Sequence, residues 1–299
     1  MPPPAQAALE SWNIPIPLTL LTILAAFLYL RGWLNLRSAS VNAIPAWRAA
    51  TFFCGLLLIW VALGSPLAAL DEELLTVHMI QHLLLMTIGP PLILIGAPLM
   101  PILHGLPRKF VQSVLGPLFR WPPMQCAGSV LSRPAVCWLA GTAALVGWHV
   151  PGAFTLALRS EAWHVVEHAC FLGSGLLFWW PVIQSWPSAP TWPRWSILLY
   201  LFLATLPCDI LSAFLVFCDR VVYAVYFLAP KNFGISALED QQCAGALMWT
   251  CVTIVYLLAA VIVATRLLSA RNSQESQLMQ SDLPATLAPS AGRQSVEVV

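Results

Sequence analysis

The chain has 299 residues, of which 59 % are hydrophobic and only 9 % charged, with a net charge of +1 and a mean hydropathy of +0.77. A soluble domain carries about 25 % charged residues, so this is a polytopic membrane protein; no basic cluster of the kind a phosphate backbone requires is present, which excludes nucleic acid as a partner. Its eight cysteines stand singly, with no Cys-x-x-Cys pair, and imply neither a disulfide framework nor a zinc ribbon.

Crossing the hydrocarbon core takes about 20 apolar residues. Seven segments meet that length, roughly 15–34, 47–69, 74–100, 134–151, 162–184, 195–218 and 240–267. The expected fold is therefore an all-α bundle of seven transmembrane helices. Met1–Glu10 lacks the positive start of a secretory signal, so the first apolar segment is expected to be kept as a helix. In the third, Gly89-Pro90-Pro91 is expected to kink or unwind the helix near mid-membrane. Beyond Leu268 the chain turns polar and reads as disordered. The organisation is thus a short outer segment 1–14, a membrane domain 15–267 and a cytoplasmic tail 268–299.

Lys and Arg between the spans set the orientation. Eleven of the fourteen fall on one side (Arg31, Arg37, Arg48; Arg108, Lys109, Arg120, Arg133; Arg194; Arg266, Arg271, Arg293), and only Arg159, Arg220 and Lys231 on the other. This predicts the N-terminus outside and the C-terminus inside.

With that orientation, five of the six histidines collect in the outer leaflet; His104, in an inner loop, is the exception. His78 and His82 open the third helix, about 40° apart around its axis and one turn apart along it. His149 ends the fourth just before Pro151, and His164 and His168 open the fifth with Glu167 between them. Polar residues at membrane depth are costly and mark function by default. Two His-x-x-x-His pairs at one depth, with a fifth histidine and carboxylates alongside, point to a metal or cofactor site. Its candidate ligands are His78, His82, His149, His164 and His168. Glu167 and Asp240, with Glu239, Gln241 and Asp209, are the groups expected to support those ligands, for instance by accepting the second ring N–H of a bound histidine. Met79, Met86 and Cys243 are possible soft donors. Imidazole suits copper, zinc and iron alike, and the nearby thioethers tilt the choice to copper. Two rivals share the same parts. One is a membrane-embedded zinc hydrolase, since His164-Val-Val-Glu167-His168 has the His-x-x-Glu-His pattern. The other is a haem-binding electron carrier with axial histidines.

Three blocks resemble the polytopic CtaG-type cytochrome c oxidase assembly factors associated with caa-type oxidases. They are His78-Met-Ile-Gln-His82-Leu-Leu-Leu-Met-Thr-Ile-Gly-Pro-Pro91 with Gly96-Ala-Pro98; Trp148-His149-Val-Pro151, Trp163-His164-Val-Val-Glu167-His168 and Phe178-Trp-Trp-Pro181; and Gly234-Ile-Ser-Ala-Leu-Glu239-Asp240-Gln241-Gln-Cys-Ala-Gly245 with Met248-Trp249. The resemblance implies a multi-pass protein of the bacterial inner membrane, needed to make active haem-copper oxidase and handling copper at the periplasmic face, not an enzyme. Its implied partners are oxidase subunits or a periplasmic copper chaperone, with membrane lipids around it. The motif positions carried over are His78, His82, His149, His164, His168, Glu239, Asp240 and Gln241, with Glu167 in the same block.

Overall fold

Proline marks where helices start. Pro122, Pro134 and Pro151 each occupy the first position of a helix, where the missing N–H is one that a first turn leaves unbonded anyway. The computed structural model describes residues 12, 14–39, 44–183, 193, 195–227 and 233–281. In chain order its main helices are α1 (Ile16–Ala39), α2 (Ala46–Gly64), α3 (Leu75–Leu83), α4 (Gly89–Ile95), α5 (Leu99–Gly105), α6 (Pro122–Leu131), α7 (Pro134–Trp148), α8 (Pro151–Arg159), α9 (Glu161–Ile183), α10 (Ser196–Phe217) and α11 (Ala237–Ser281). No strand occurs among the described residues.

Among the described residues, six stretches are long and apolar enough to cross a membrane: Ile16–Ser38, Ala46–Leu70, Leu75–Ile95, Glu161–Ile183, Ser196–Phe217 and Ala237–Ser269. The helix expected over 134–151 is shorter than a span. At about 1.5 Å per residue, the 15 residues of α7 fall short of a core about 30 Å thick. It makes a seventh span only together with α6, from which it is bent by 72°. The chain is an all-α, multi-pass membrane protein. Its last helix runs on to Ser281 rather than stopping near 267. Met1–Glu10 and the tail from 282 onward lie outside the described residues.

α3 is the central helix. Of its apolar stretch 61 % is buried, against 11 % for α1 and 17 % for α11, whose exposed Leu, Ile and Phe side chains suit a lipid surround. Gly89-Pro90-Pro91 does not unwind this element. Instead, one π turn (Leu84–Ile88) joins α3 to α4, and the Gly89 N–H reaches back five residues to the Leu84 carbonyl. Because Pro90 has no N–H, the carbonyl four residues before it loses its helical donor. That carbonyl belongs to Met86, and the Trp179 indole N–H donates to it at 3.1 Å. A buried polar group left without a partner costs about 1–3 kcal/mol, so Trp179 makes the proline-induced irregularity tolerable at membrane depth.

Small residues let the helices approach. A Cβ on Gly32 would overlap the Pro101 carbonyl, and one on Gly105 the Leu28 carbonyl, so α1 and α5 touch backbone to backbone. Gly175 of α9 plays the same part against the π turn. A Cβ there would lie 2.8 Å from the Met86 carbonyl oxygen and 2.9 Å from Pro90 Cγ. Gly175→Ala should therefore push α9 off α4 and destabilise the protein by about 1–3 kcal/mol, read as a lower thermal midpoint in detergent. An unchanged midpoint would mean that this contact yields without cost.

Candidate metal centre

Helical spacing builds the two faces of the centre. On α3, His78, Met79, His82 and, beyond the end of the helix, Met86 recur at intervals that keep them on one side; on α9, His164, Glu167, His168 and Phe171 do the same. His149 comes from a corner. It closes α7 in a helical conformation, and Val150, preceding Pro151, is held extended, so the helix cannot continue. The Tyr223 hydroxyl, from the loop after α10, donates to the His149 carbonyl at 3.0 Å.

The five predicted histidines form one continuous group. Ring centroids are 4.3 Å apart for His78 and His82, 5.5 Å for His78 and His164, 4.2 Å for His164 and His168, 5.9 Å for His82 and His149, and 6.1 Å for His82 and His168. Phe154 of α8 packs on His78 and Phe171 stacks on His82, at 5.0 and 4.0 Å. His104 stands apart on α5, exposed, with its Nδ1 bonded to the Met100 carbonyl.

Glu167 sits inside this group rather than behind it. Its carboxylate oxygens lie 3.6 Å from His82 Nε2, 3.8 Å from His78 Nε2 and 4.0 Å from His164 Nε2. A second carboxylate, unanticipated from the sequence, completes the cluster: Asp71 Oδ2 is 3.5 Å from His164 Nε2. Burial pushes the Asp71 carboxyl up to about 7. Among the described residues, two sets offer ligand atoms that all lie within 4.8 Å of one another, namely Asp71, His78 and His164, and His78, His82 and Glu167. Ligands bound to one ion at about 2.1 Å stand roughly 3.4–3.6 Å apart, so small side-chain shifts bring either set onto a metal.

The polar atoms here are otherwise unpartnered. Both ring nitrogens of His78 and of His82, Nε2 of His164 and His168, and both carboxylate oxygens of Glu167 are buried without a hydrogen bond. Such atoms are rare in folded proteins, and each costs about 1–3 kcal/mol. A cation bound among them removes that cost, and the donor set of imidazoles and carboxylates fits one.

Glu239, Asp240 and Gln241 act on backbone rather than on histidines. Glu239 makes a capping box, accepting the Ser236 N–H at 2.7 Å while its own N–H donates to Ser236 Oγ at 3.2 Å. Asp240 caps a different helix. It accepts the Leu75 N–H at 2.6 Å, the Thr76 N–H at 3.1 Å and the Thr76 hydroxyl at 2.6 Å, fixing the start of the helix that carries His78 and His82. Gln241 ties α11 to the end of α10, donating to the Leu215 and Arg220 carbonyls and accepting the Val222 N–H. Asp209 leaves one oxygen buried without a partner but lies outside both ligand sets. Cys243 is exposed and lines no part of the site. Met79 and Met86 do line it: with His82 and His149 they border a cavity of about 40 Å³ that continues inward past Thr87, Cys208 and Met248.

These features define a class, a multi-pass helical membrane protein with a buried histidine–carboxylate centre at one end of its bundle. Residues 27–270 match the family of cytochrome c oxidase caa3 assembly factors, Caa3_CtaG, and the chain belongs to that family. It is also 22 % identical over 269 residues to an uncharacterized protein of Mycobacterium bovis and to one of Mycobacterium tuberculosis, covering 89 % of this chain. The chain spans about 40 % of the length of these relatives. No solved structure matches it.

Proposed function

We propose that the chain works in the assembly of a haem-copper cytochrome c oxidase by holding a copper ion among His78, His82, His164 and Glu167, with Asp71 alongside, and passing it on. The observation that carries this reading is the unpartnered ligand atoms, gathered in two groups that share His78, each with its atoms within 4.8 Å of one another. The copper is cargo, not a resident catalyst. His149 and His168 border the ligand set and give an incoming or departing ion alternative imidazoles. Eleven of fourteen cationic residues on the opposite side argue that the histidine end faces the periplasm of a bacterial inner membrane, where a copper chaperone or an oxidase subunit would meet it.

Neither rival gains support from the packing. A zinc hydrolase needs an open coordination position with a substrate path, whereas His78 and Glu167 are fully buried and Phe154 closes over His78. A porphyrin needs a slot far larger than about 40 Å³.

The test is genetic. In a bacterium bearing a caa3-type oxidase and lacking its own family member, this chain should restore oxidase activity and oxidase copper content, while His78→Ala/His82→Ala, inserted in the membrane at equal level, should restore neither. Full restoration by the double variant would overturn the proposal.

A further inference from the structure

A second group of donors, of different chemistry, adjoins the histidine–carboxylate cluster. His149 Nδ1 lies 2.7 Å from the Leu145 carbonyl oxygen. A carbonyl only accepts, so Nδ1 carries the proton and the Nε2 of a neutral ring is a bare lone pair. That lone pair faces Met79 Sδ at 3.3 Å, an atom that has no proton to give. His149 is 4 % exposed and Met79 is fully buried. Two acceptors therefore confront each other in the interior with no hydrogen between them. An imidazolium would satisfy the contact, but among the described residues no carboxylate lies within ion-pair distance of His149; Asp71 and Glu167 face His78, His82 and His164.

Both atoms belong to the wall of the inward cavity, which also presents Met86, Met248 and Cys208. Met86 Cε lies over Gly141, at ordinary contact distance from where a Cβ would stand. Among the described residues, no carboxylate lines this space. Thioether, thiol and imidazole without oxygen anions favour a soft monovalent ion over a hard or divalent one. We propose that Met79 and His149 form a second metal site, selective for Cu(I), distinct from the carboxylate-bearing cluster and adjoining it through His82. His82 borders the cavity and its ring is 5.9 Å from that of His149, so an ion exchanges one imidazole for another in passing between the two sites. Soft donors keep copper reduced beside a cluster whose carboxylates accept either oxidation state. The second site goes beyond the copper reading of the cluster, and the passage of an ion between the two rests on that reading.

Silver(I) tests it, since it shares the charge and softness of Cu(I) and binds carboxylates poorly. The full chain, purified in detergent, is equilibrated with Ag(I) against a competing thioether ligand, desalted and analysed for metal. With the histidine–carboxylate cluster first filled with Zn(II), one Ag(I) per chain should be retained by the wild type. In Met79→Leu, which keeps the side-chain volume, retention should weaken about tenfold or more with the thermal midpoint little changed. Selenomethionine-labelled protein, which needs no substitution, should place a selenium neighbour in the X-ray absorption of the bound silver. No Ag(I) in the wild type, unaltered retention in Met79→Leu, or a silver shell without selenium would each overturn the second site. Failure of the cluster would show separately, as divalent-metal binding that Glu167→Gln leaves unchanged.

Discussion

Glu167→Gln should lower the affinity of the histidine–carboxylate cluster for copper by about 100-fold while leaving the protein folded. The carboxylate lies within 3.6–4.0 Å of three histidine nitrogens, and neither of its oxygens has a hydrogen bond. Removing a group that only supports a ligand costs about 10–100-fold in metal affinity; removing an anion from within the ligand set belongs at or beyond the upper end. The amide keeps the shape of the side chain and supplies N–H donors to neighbouring imidazoles, so the metal-free fold gains partners rather than losing them. Competition against a copper chelator measures the first effect and thermal unfolding without metal the second. An affinity within threefold of wild type would place the ion elsewhere.

Asp240→Ala should act from a distance, by loosening the start of α3. The carboxylate accepts three hydrogen bonds from Leu75 and Thr76, satisfying backbone donors that a helix leaves free at its first turn and placing a negative charge at the positive end of the helix dipole. Loss of a capping side chain costs about 0.5–2 kcal/mol, and a buried charged acceptor with a further hydroxyl bond brings the expected loss to about 2–4 kcal/mol. For a chain of this size that is roughly 5–10 °C in the thermal midpoint. His78 lies on the very next turn, so copper affinity should fall in parallel. Asp240→Asn keeps an acceptor oxygen and should recover part of both. A variant with a normal midpoint and normal copper binding would show that α3 holds its position without this cap.

The sequence carried the histidine constellation because it is periodic. His78 and His82, and His164 and His168, repeat at the helical interval, and two spans entering from the same side must bring such pairs to one depth. Asp71 was not legible in that way. It lies in a connection between helices, in the run Asp71-Glu72-Glu73, and only the packed structure buries Asp71 while leaving Glu72 exposed. An acidic run placed immediately before a histidine helix was the available signal. Glu239, Asp240 and Gln241 show the opposite case. Their position at a helix mouth beside the histidines suggested chemistry, but Ser236-Ala-Leu-Glu239 is a capping box by its spacing, and which helix Asp240 would cap is a question of tertiary packing. Gly89-Pro90-Pro91 announced an irregularity without its form, since the π turn depends on Trp179 arriving from α9 to take the Met86 carbonyl. Met248 and Cys208 look like core side chains on α11 and α10, and only the cavity they share with His149 separates them from Cys243.

Metal analysis with an absorption spectrum shows whether the buried cluster binds copper. Detergent-purified wild type and His78→Ala/His82→Ala would be reduced, loaded with Cu(I) and desalted. Near-stoichiometric or higher copper is expected in the wild type, at least one equivalent fewer in the double variant, and no Soret band in either. Equal copper in the two proteins, or tight zinc in the wild type that copper does not displace, would overturn copper binding by the cluster.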